Sequence, residues 1–244
     1  MSTLDPYPFQ RHVADLLLSG QSVILQAPTG AGKTFAAKLP FFEARQQGLD
    51  FPRKCIYAVP MRVLANQFAA EKLTLPLQVA IQTGEHRDDP QFTADITFAT
   101  IDQVLSSFLL APYSLPRRLA NLNAGAIASS YLVFDEFHLF EPTAMLPTTL
   151  EMLRMLRGVV PFLLMTATFS RDMLHGLADI LWLSAIPWPT PSPSTADCWN
   201  ILGLATQTCD CYIVNSCQRT VPARSRKFAK SMPERAPSRG IGLQ

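Results

Sequence analysis

A glycine-rich stretch near the N-terminus has the residue types and spacing that bind a phosphate group. Its residues are Ala27, Pro28, Thr29, Gly30, Ala31, Gly32, Lys33 and Thr34. Gly30 and Gly32 allow backbone conformations in which several amide groups point at one anion. Lys33 can reach the β- and γ-phosphates of a nucleotide, and the Thr34 hydroxyl can bind Mg²⁺. The alternative is a turn followed by a solvated lysine, but an apolar run before the stretch and a helical pattern after it favour phosphate binding.

Two adjacent carboxylates, Asp135 and Glu136, follow a later apolar run. Asp135 is suited to hold Mg²⁺ through water, and Glu136 is suited to orient and deprotonate an attacking water. Alone, the pair would indicate the acidic start of a helix more often than a catalytic site. The glycine-rich stretch favours catalysis, because a bound nucleotide needs an acidic partner at a neighbouring strand end. Another apolar run ends in Thr166-Ala-Thr168, which alone indicates only a sheet edge with small residues.

Short apolar runs alternate with longer amphipathic ones and predict an α/β domain over residues 1–184, a parallel sheet between helices. The predicted strands are 22–26, 54–59, 77–81, 95–99, 131–134 and 161–165. The predicted helices are 9–18, 33–47, 62–72, 101–110, 145–157 and 171–183. Because parallel strands end at one edge of a sheet, this arrangement would bring the polar residues described above together.

Residues 185–244 have a different composition, with alternating prolines at the start and basic residues at the end. Beyond one apolar run at 212–214, we expect this tail to be largely disordered, because it cannot bury enough apolar surface to offset its ordering entropy. Cys55 lies in a predicted strand, but four cysteines lie in the tail. Their spacing is too tight for a zinc site and predicts reduced thiols. These four are Cys198, Cys209, Cys211 and Cys217.

The net charge of +2 divides unevenly along the chain. Residues 218–244 hold seven basic residues and one acid, which is +6, so the rest of the chain carries +2 − 6 = −4. An acidic body argues against a broad basic surface, and nucleic acid would have to be contacted by a local groove or by the tail. No apolar stretch is long enough to span a bilayer and the N-terminus lacks a signal pattern, so we predict a cytoplasmic protein without membrane contact.

Taken together, the glycine-rich stretch, the Asp-Glu-Phe-His run and the Thr-Ala-Thr run resemble motifs I, II and III of superfamily 2 helicases. The resemblance implies a RecA-like P-loop NTPase domain that binds ATP and Mg²⁺. It implies that Lys33, Asp135, Glu136 and His138 are catalytic. By the same resemblance His138, Thr166 and Thr168 would couple the ATP site to the nucleic-acid site.

Further stretches of the chain also resemble family motifs. Pro8-Phe-Gln10 resembles the glutamine motif, whose amide would pair with adenine. Three other stretches resemble motif Ia, motif Ib and the motif next to motif Ib. In the family, these motifs contact the backbone of a single nucleic-acid strand. The implied strand contacts are Pro60, Arg62, Thr83, Gly84, Thr100 and Gln103. Without the family, Arg62 would be a solvated charge at a helix start.

Within the superfamily, Thr100-Ile-Asp-Gln103 and the Asp-Glu-Phe-His run most resemble the helicase of CRISPR interference complexes. No histidine of this chain is followed by aspartate, as the nuclease often joined to that helicase would require. The resemblance therefore implies a nuclease-free helicase that acts on single-stranded or duplex DNA with a CRISPR effector complex and a separate nuclease. An RNA helicase of the same superfamily is the alternative, because proteins grip both nucleic acids by their phosphates.

The resemblance stops near Leu183. The family's second RecA-like domain contributes an arginine finger from a Gln-x-x-Gly-Arg-x-x-Arg pattern, and the nearest run here, at 218–224, lacks the glycine. Because such a finger contributes roughly 10³- to 10⁵-fold in rate, we expect slow hydrolysis by this chain alone. The explanations are a fragment, a half-motor completed by another chain, or a frame shift near Ser184, which the abrupt change in composition favours. The competing functional class is a non-catalytic module that binds ATP together with a nucleic-acid strand, or a partner protein, without hydrolysing ATP.

Overall fold

The computed structural model describes residues 5–60, 76–181, 184–187 and 212–215, and these form one eight-stranded sheet flanked by helices. The strands are β1 (Val23–Gln26), β2 (Cys55–Val59), β3 (Val79–Gln82), β4 (Ile96–Thr100), β5 (Tyr131–Phe134), β6 (Phe162–Thr166), β7 (Ser184–Pro187) and β8 (Tyr212–Asn215). Their order across the sheet is β3-β4-β2-β5-β6-β1-β8-β7. Strands β1 to β6 all pair in parallel, which confirms the predicted α/β class.

The helices are α1 (Pro8–Leu18), α2 (Lys33–Gln47), α3 (Ile101–Phe108), α4 (Ala120–Ile127), α5 (Met145–Leu156) and α6 (Arg171–Leu181), with short 3₁₀ turns at Arg117–Leu119 and Phe137–Leu139. Five of the six predicted helices are confirmed within a few residues. The sixth, 62–72, lies outside the described residues. Helix α4 was not predicted, because its sequence Ala-Asn-Leu-Asn-Ala-Gly-Ala-Ile has a weak apolar pattern and an internal glycine.

The central strands are buried on both faces, as parallel strands covered by helices must be. Because successive side chains of a strand point to opposite faces, each strand supplies two cores. Leu132 and Phe134 of β5 pack with residues of α3, α4, α5 and α6. Tyr131 and Val133 pack with residues of α1 and α2. Two helical layers therefore hold the sheet, and its carboxyl edge is left for the loops.

Two strands of the sheet come from the C-terminal part of the chain. β8 pairs antiparallel with β1, and β7 pairs antiparallel with β8. The predicted apolar run at 212–214 lies in β8, whereas a strand at 184–187 was not predicted. The rest of the predicted tail, including its four cysteines, lies outside the described residues. Cys55 is buried in β2 with a free thiol.

Among the described residues no helix combines the length and the apolar character needed to cross a membrane.

A buried carboxylate organises the connection between β3 and β4. The Oδ1 atom of Asp89 accepts hydrogen bonds from the Thr93 backbone at 2.6 Å and the Thr93 hydroxyl at 2.8 Å. Its Oδ2 atom accepts bonds from the Ala94 backbone at 3.0 Å and the Thr97 hydroxyl at 2.8 Å. Burial alone would raise the pKa of Asp89, but these four bonds outweigh it and lower the pKa below the ordinary 3.8.

We predict that Asp89→Asn lowers the free energy of unfolding by about 2 kcal/mol, and Asp89→Ala by about 3 kcal/mol, because buried donors lose their acceptor. A carboxylate with a depressed pKa stabilises the fold above its ordinary pKa and loses this effect as the pH falls through its folded value. Urea unfolding of wild type and Asp89→Asn should therefore differ by a constant amount above about pH 5 and converge below about pH 4. A difference that does not change with pH would contradict the carboxylate account.

Candidate functional site

The glycine-rich stretch forms a loop between the end of β1 and the start of α2. Gly30 and Gly32 hold φ angles of +83° and +86°, a region that other residues reach only with strain. The Ala27 amide donates to the Thr166 carbonyl at 3.1 Å, which ties the loop to the end of β6. The amides at the start of α2 and the dipole of that helix then face the space that the loop encloses.

Lys33 begins α2 with its side chain folded back into the loop. Its Nζ atom donates to the carbonyls of Ala27 at 3.1 Å and Pro28 at 3.3 Å. The same Nζ lies 4.0 Å from Oε1 of Glu136, although Lys33 and Glu136 are far apart in sequence. A buried ammonium group that contacts two carbonyls and lies near a carboxylate is suited to an incoming phosphate, which it would bind as a point charge.

The two predicted carboxylates lie directly beyond β5. The Asp135 amide donates to the Ala58 carbonyl of β2 at 2.9 Å, and Oδ1 of Asp135 accepts from the Glu136 amide at 2.9 Å. Glu136 has a φ of +48°, which is uncommon for a residue with a side chain and typical of functional sites. Burial raises the pKa of Asp135 above its ordinary 3.8 and the Glu136 charge adds to this, against the opposing effects of Tyr57 and Lys33. A bound cation would offset that desolvation.

Tyr57 is a site residue that the sequence analysis did not identify. Its hydroxyl donates to Oδ2 of Asp135 at 2.7 Å, deep between β2 and β5, and it also hydrogen-bonds the side chain of Thr34. Burial, together with the Asp135 charge, raises the pKa of Tyr57 well above 10, so the hydroxyl keeps its proton. One buried hydroxyl therefore links the two predicted Mg²⁺ ligands. The only sequence signal was a polar atom in an otherwise apolar strand.

We predict that Tyr57→Phe raises the Mg²⁺ concentration needed for half-maximal ATP binding by about 10-fold, because groups that orient metal ligands are worth about 10- to 100-fold in metal affinity. The measurement is a Mg²⁺ titration with a fluorescent ATP analogue. Tyr131→Phe is the matched control, because the Tyr131 hydroxyl is equally buried but donates to the Ala37 carbonyl at 3.1 Å. An equal Mg²⁺ requirement in the two variants would show that Tyr57 acts only in packing.

His138 connects the acidic pair to the end of β6. Its Nδ1 atom lies 3.4 Å from Oε2 of Glu136 and 3.3 Å from the Thr166 hydroxyl. The Thr168 amide lies 3.5 Å from the same hydroxyl, whereas the Thr168 side chain is exposed. The structure thus brings Glu136, His138 and Thr166 into one contiguous cluster. The predicted coupling role of His138, Thr166 and Thr168 stays a prediction.

Gln10 lies against the glycine-rich loop. Its Nε2 atom donates to the Gly32 carbonyl at 3.1 Å, and its Oε1 accepts from the Tyr7 amide at 2.8 Å. A Cβ atom added at Gly32 would lie 2.5 Å from Gln10 Nε2, so the Gln10 side chain would have to shift, and the φ of +86° is the stronger reason for glycine there. Gln10 is therefore beside the loop, and its pairing with adenine stays a prediction.

The residues predicted to contact a nucleic-acid strand differ in their exposure to solvent. Thr83 is buried, and its hydroxyl oxygen accepts bonds from the amides of Glu85 and His86 at 3.3 and 3.1 Å. Thr100 and Gln103 are also buried, and Gln103 accepts a bond from Gln82 at 3.3 Å. The remaining two described residues are the half-buried Pro60 and the exposed Gly84. Arg62 lies outside the described residues. These roles stay predictions.

Comparison with known proteins decides the family. The profile of the DEAD/DEAH box helicase family matches residues 7–175, which include the loop, the acidic pair and the end of β6. The chain belongs to the DEAD/DEAH box helicase family. Members of this family are ATP-dependent helicases. The assignment of the loop that holds Lys33 to ATP stays a prediction.

Three relatives show the range of this helicase family. The chain is 30% identical over 175 residues to the ATP-dependent DNA helicase Hel308 of Thermoplasma acidophilum, covering 68% of this chain and 24% of the relative. It is 32% identical over 142 residues to the CRISPR-associated helicase Cas3 of Thermoproteus tenax, covering 51% and 25%. It is 32% identical over 184 residues to the ATP-dependent RNA helicase DBP9 of Ajellomyces capsulatus, covering 70% and 29%. The chain thus spans about a quarter of the length of these relatives.

A solved structure shows the same fold. The structure of T. fusca Cas3 with ATP superposes with a TM-score of 0.55 at 22% identity, covering 73% of this chain and 23% of that one. The helicase domain is therefore RecA-like, as the motifs implied.

Proposed function

We propose that this chain is the ATP-binding domain of a DNA helicase or translocase that acts in CRISPR interference. The observation that carries the proposal is the convergence of Lys33, Asp135 and Glu136 at the carboxyl edge of the sheet, where β1 and β5 end on either side of β6. Lys33 Nζ and Glu136 Oε1 are 4.0 Å apart, so a phosphate group held by the loop would lie beside the carboxylate that activates water.

In the proposed reaction, the water oxygen attacks the γ-phosphorus of ATP while Glu136 accepts a proton from that water. The bond between the γ-phosphorus and its bridging oxygen breaks, which yields ADP and phosphate. Lys33 and the loop amides hold the phosphate charge, as such transfers depend mostly on positioning and electrostatics. The contact of His138 with both Glu136 and Thr166 would carry the state of the ATP site to the loops beyond β6.

The residues around Tyr57 fit Mg²⁺. Thr34 and Asp135 both bond the Tyr57 hydroxyl and present oxygen atoms, the ligands that a hard cation prefers. When bound, Mg²⁺ would neutralise phosphate charge.

The proposal of DNA as the substrate, and of a role in CRISPR interference, rests on similarity to known helicases. The Thr100-Ile-Asp-Gln103 and Asp-Glu-Phe-His runs support it, as does the relative from Thermoproteus tenax. The proposed partners are single-stranded or duplex DNA, a CRISPR effector complex and a nuclease on a separate chain. The likeness to an RNA helicase over 70% of this chain makes RNA the second candidate.

The test is ATP binding and turnover by the purified chain, alone and with single-stranded DNA or RNA of one sequence. We expect ATP binding, slow hydrolysis because the 244 residues contain no arginine-finger pattern, and stronger stimulation by DNA than by RNA. Binding without any strand-stimulated turnover would indicate a half-motor that needs a partner chain. Stronger stimulation by RNA would favour the second candidate, and absence of ATP binding would refute the proposal.

A further inference from the structure

The loop between α3 and α4 forms an exposed apolar surface that the ATP site does not use. It encloses an open cavity of about 710 Å³, which is lined mainly by Leu109, Leu110, Pro112, Leu115, Arg117 and Arg118. Tyr113 stands beside these residues with 64% of its surface exposed. A soluble domain rarely exposes several large apolar side chains together unless something binds there.

The backbone of this loop turns at Leu110, directly after α3. Leu110 has a φ of +61°, which a glycine would adopt with less strain, yet a leucine stands there with 52% of its surface exposed. The turn at Leu110 redirects the chain after α3. The positive φ closes the end of α3, because the Ala111 amide donates to the Ser106 carbonyl at 2.8 Å and the Leu110 amide donates to the Ser107 carbonyl at 3.3 Å. This cap leaves the Leu110 side chain on the surface of the loop.

The charge of the loop points to an anionic ligand. Arg117 and Arg118 are exposed, and neither forms a salt bridge with an acidic side chain in the part of the chain that the structure describes. No acidic residue lies between Asp102 and Asp135 in the sequence, although the body of the chain carries a net negative charge. Two adjacent arginines and an exposed tyrosine on the same loop form the combination that binds single-stranded nucleic acid, in which phosphates contact arginine and bases stack on the ring.

The position of the loop connects it to the predicted strand contacts. Ser114, the residue after Tyr113, accepts a hydrogen bond from Gln82 Nε2 at 2.7 Å, and the same nitrogen donates to Gln103. Gln82 ends β3 and directly precedes Thr83 and Gly84. Tyr113 is thus joined through one side chain to the loops that the family resemblance assigns to the strand.

We propose that Tyr113, Arg117 and Arg118 form an additional binding site for single-stranded nucleic acid, next to the contacts at Thr83, Gly84 and Gln103. This inference rests on the proposed function, since it assumes that a strand passes those loops. The proposed site offers exposed side chains, which the predicted contacts lack. The side chains of Thr83 and Gln103 are buried and bonded to protein groups, whereas those of Tyr113 and the two arginines are open to a ligand.

The experiment measures the affinity of the full chain for a fluorescent oligo-dT strand over a range of salt concentrations. With both Arg117→Ala and Arg118→Ala, the plot of log affinity against log salt should become less steep by about 1.4, because each lost phosphate contact on a single strand contributes about 0.7. Tyr113→Ala should weaken binding about 5- to 150-fold with little change in slope, the range of one lost base stack. Tyr113→Phe keeps the ring and should bind like wild type.

Arg53→Ala is the matched control, because Arg53 is an exposed arginine before β2, at the opposite edge of the sheet. Its slope should equal that of wild type. If wild type binds the strand but the arginine and Tyr113→Ala variants bind equally well with the same slope, this inference fails and the loop serves another partner, such as a protein. If wild type binds no strand at any salt concentration, the strand-binding part of the proposed function fails together with it.

Discussion

Glu136→Gln is expected to slow ATP hydrolysis by about 10²- to 10⁴-fold while leaving ATP affinity within a few-fold of wild type. The amide keeps the size of the side chain and its place near Lys33 and His138, but it cannot accept the proton of the attacking water. Single-turnover release of labelled phosphate, with protein in excess over ATP, detects hydrolysis even when turnover is slow.

The control for this variant is Glu151→Gln, which makes the same change in an exposed glutamate paired with Arg154 on α5. It should leave the rate of hydrolysis unchanged. Equal rates for Glu136→Gln and wild type would mean that Glu136 does not activate water, and the catalytic reading of the acidic pair would be lost.

The second large effect is expected from Lys33. Lys33→Ala should lower ATP affinity by about 100-fold or more, because a buried cation aimed into the phosphate loop is removed and nothing described nearby can replace its charge. Isothermal titration with ATP and Mg²⁺ provides the measurement. Circular dichroism should show an intact fold, since the loop is also anchored through the Ala27 amide and Gln10.

Lys33→Met separates charge from packing, because methionine keeps most of the apolar stem without the ammonium group. It should lose ATP affinity as fully as Lys33→Ala. ATP binding that persists in Lys33→Met would contradict the assignment of Lys33 to the phosphates.

The predictable parts of the site are those whose chemistry is local in sequence. The loop around Lys33 and the pair Asp135-Glu136 could be recognised because each occupies a few consecutive residues between a strand and a helix or turn. Their meeting also followed from the sequence, since parallel strands end at one edge. The convergence of Lys33 and Glu136 also depends on the strand order, which places β1 and β5 on either side of β6 and was not predicted.

The parts that could not be predicted depend on packing between distant segments. Tyr57 reaches Asp135 because β2 and β5 pair with Tyr57 beside Val133, a register that no local pattern of the sequence specifies. The Gln10 contact with Gly32 depends on how α1 packs on α2. The exposed Tyr113 lies in a loop whose return course is set by the Leu110 backbone, and a leucine gives no sequence signal for a positive φ.

The antiparallel pairing of β8 with β1 affects where this domain can be shortened. β1 leads into the glycine-rich loop, and β8 pairs with the outer edge of β1 over all four of its residues, Val23–Gln26. A version ending at residue 184, where the composition changes, would leave those backbone groups unpaired and open to other chains, a common origin of aggregation. Expression should therefore extend beyond Asn215, because the strand that covers the edge of β1 lies far downstream of it in the sequence.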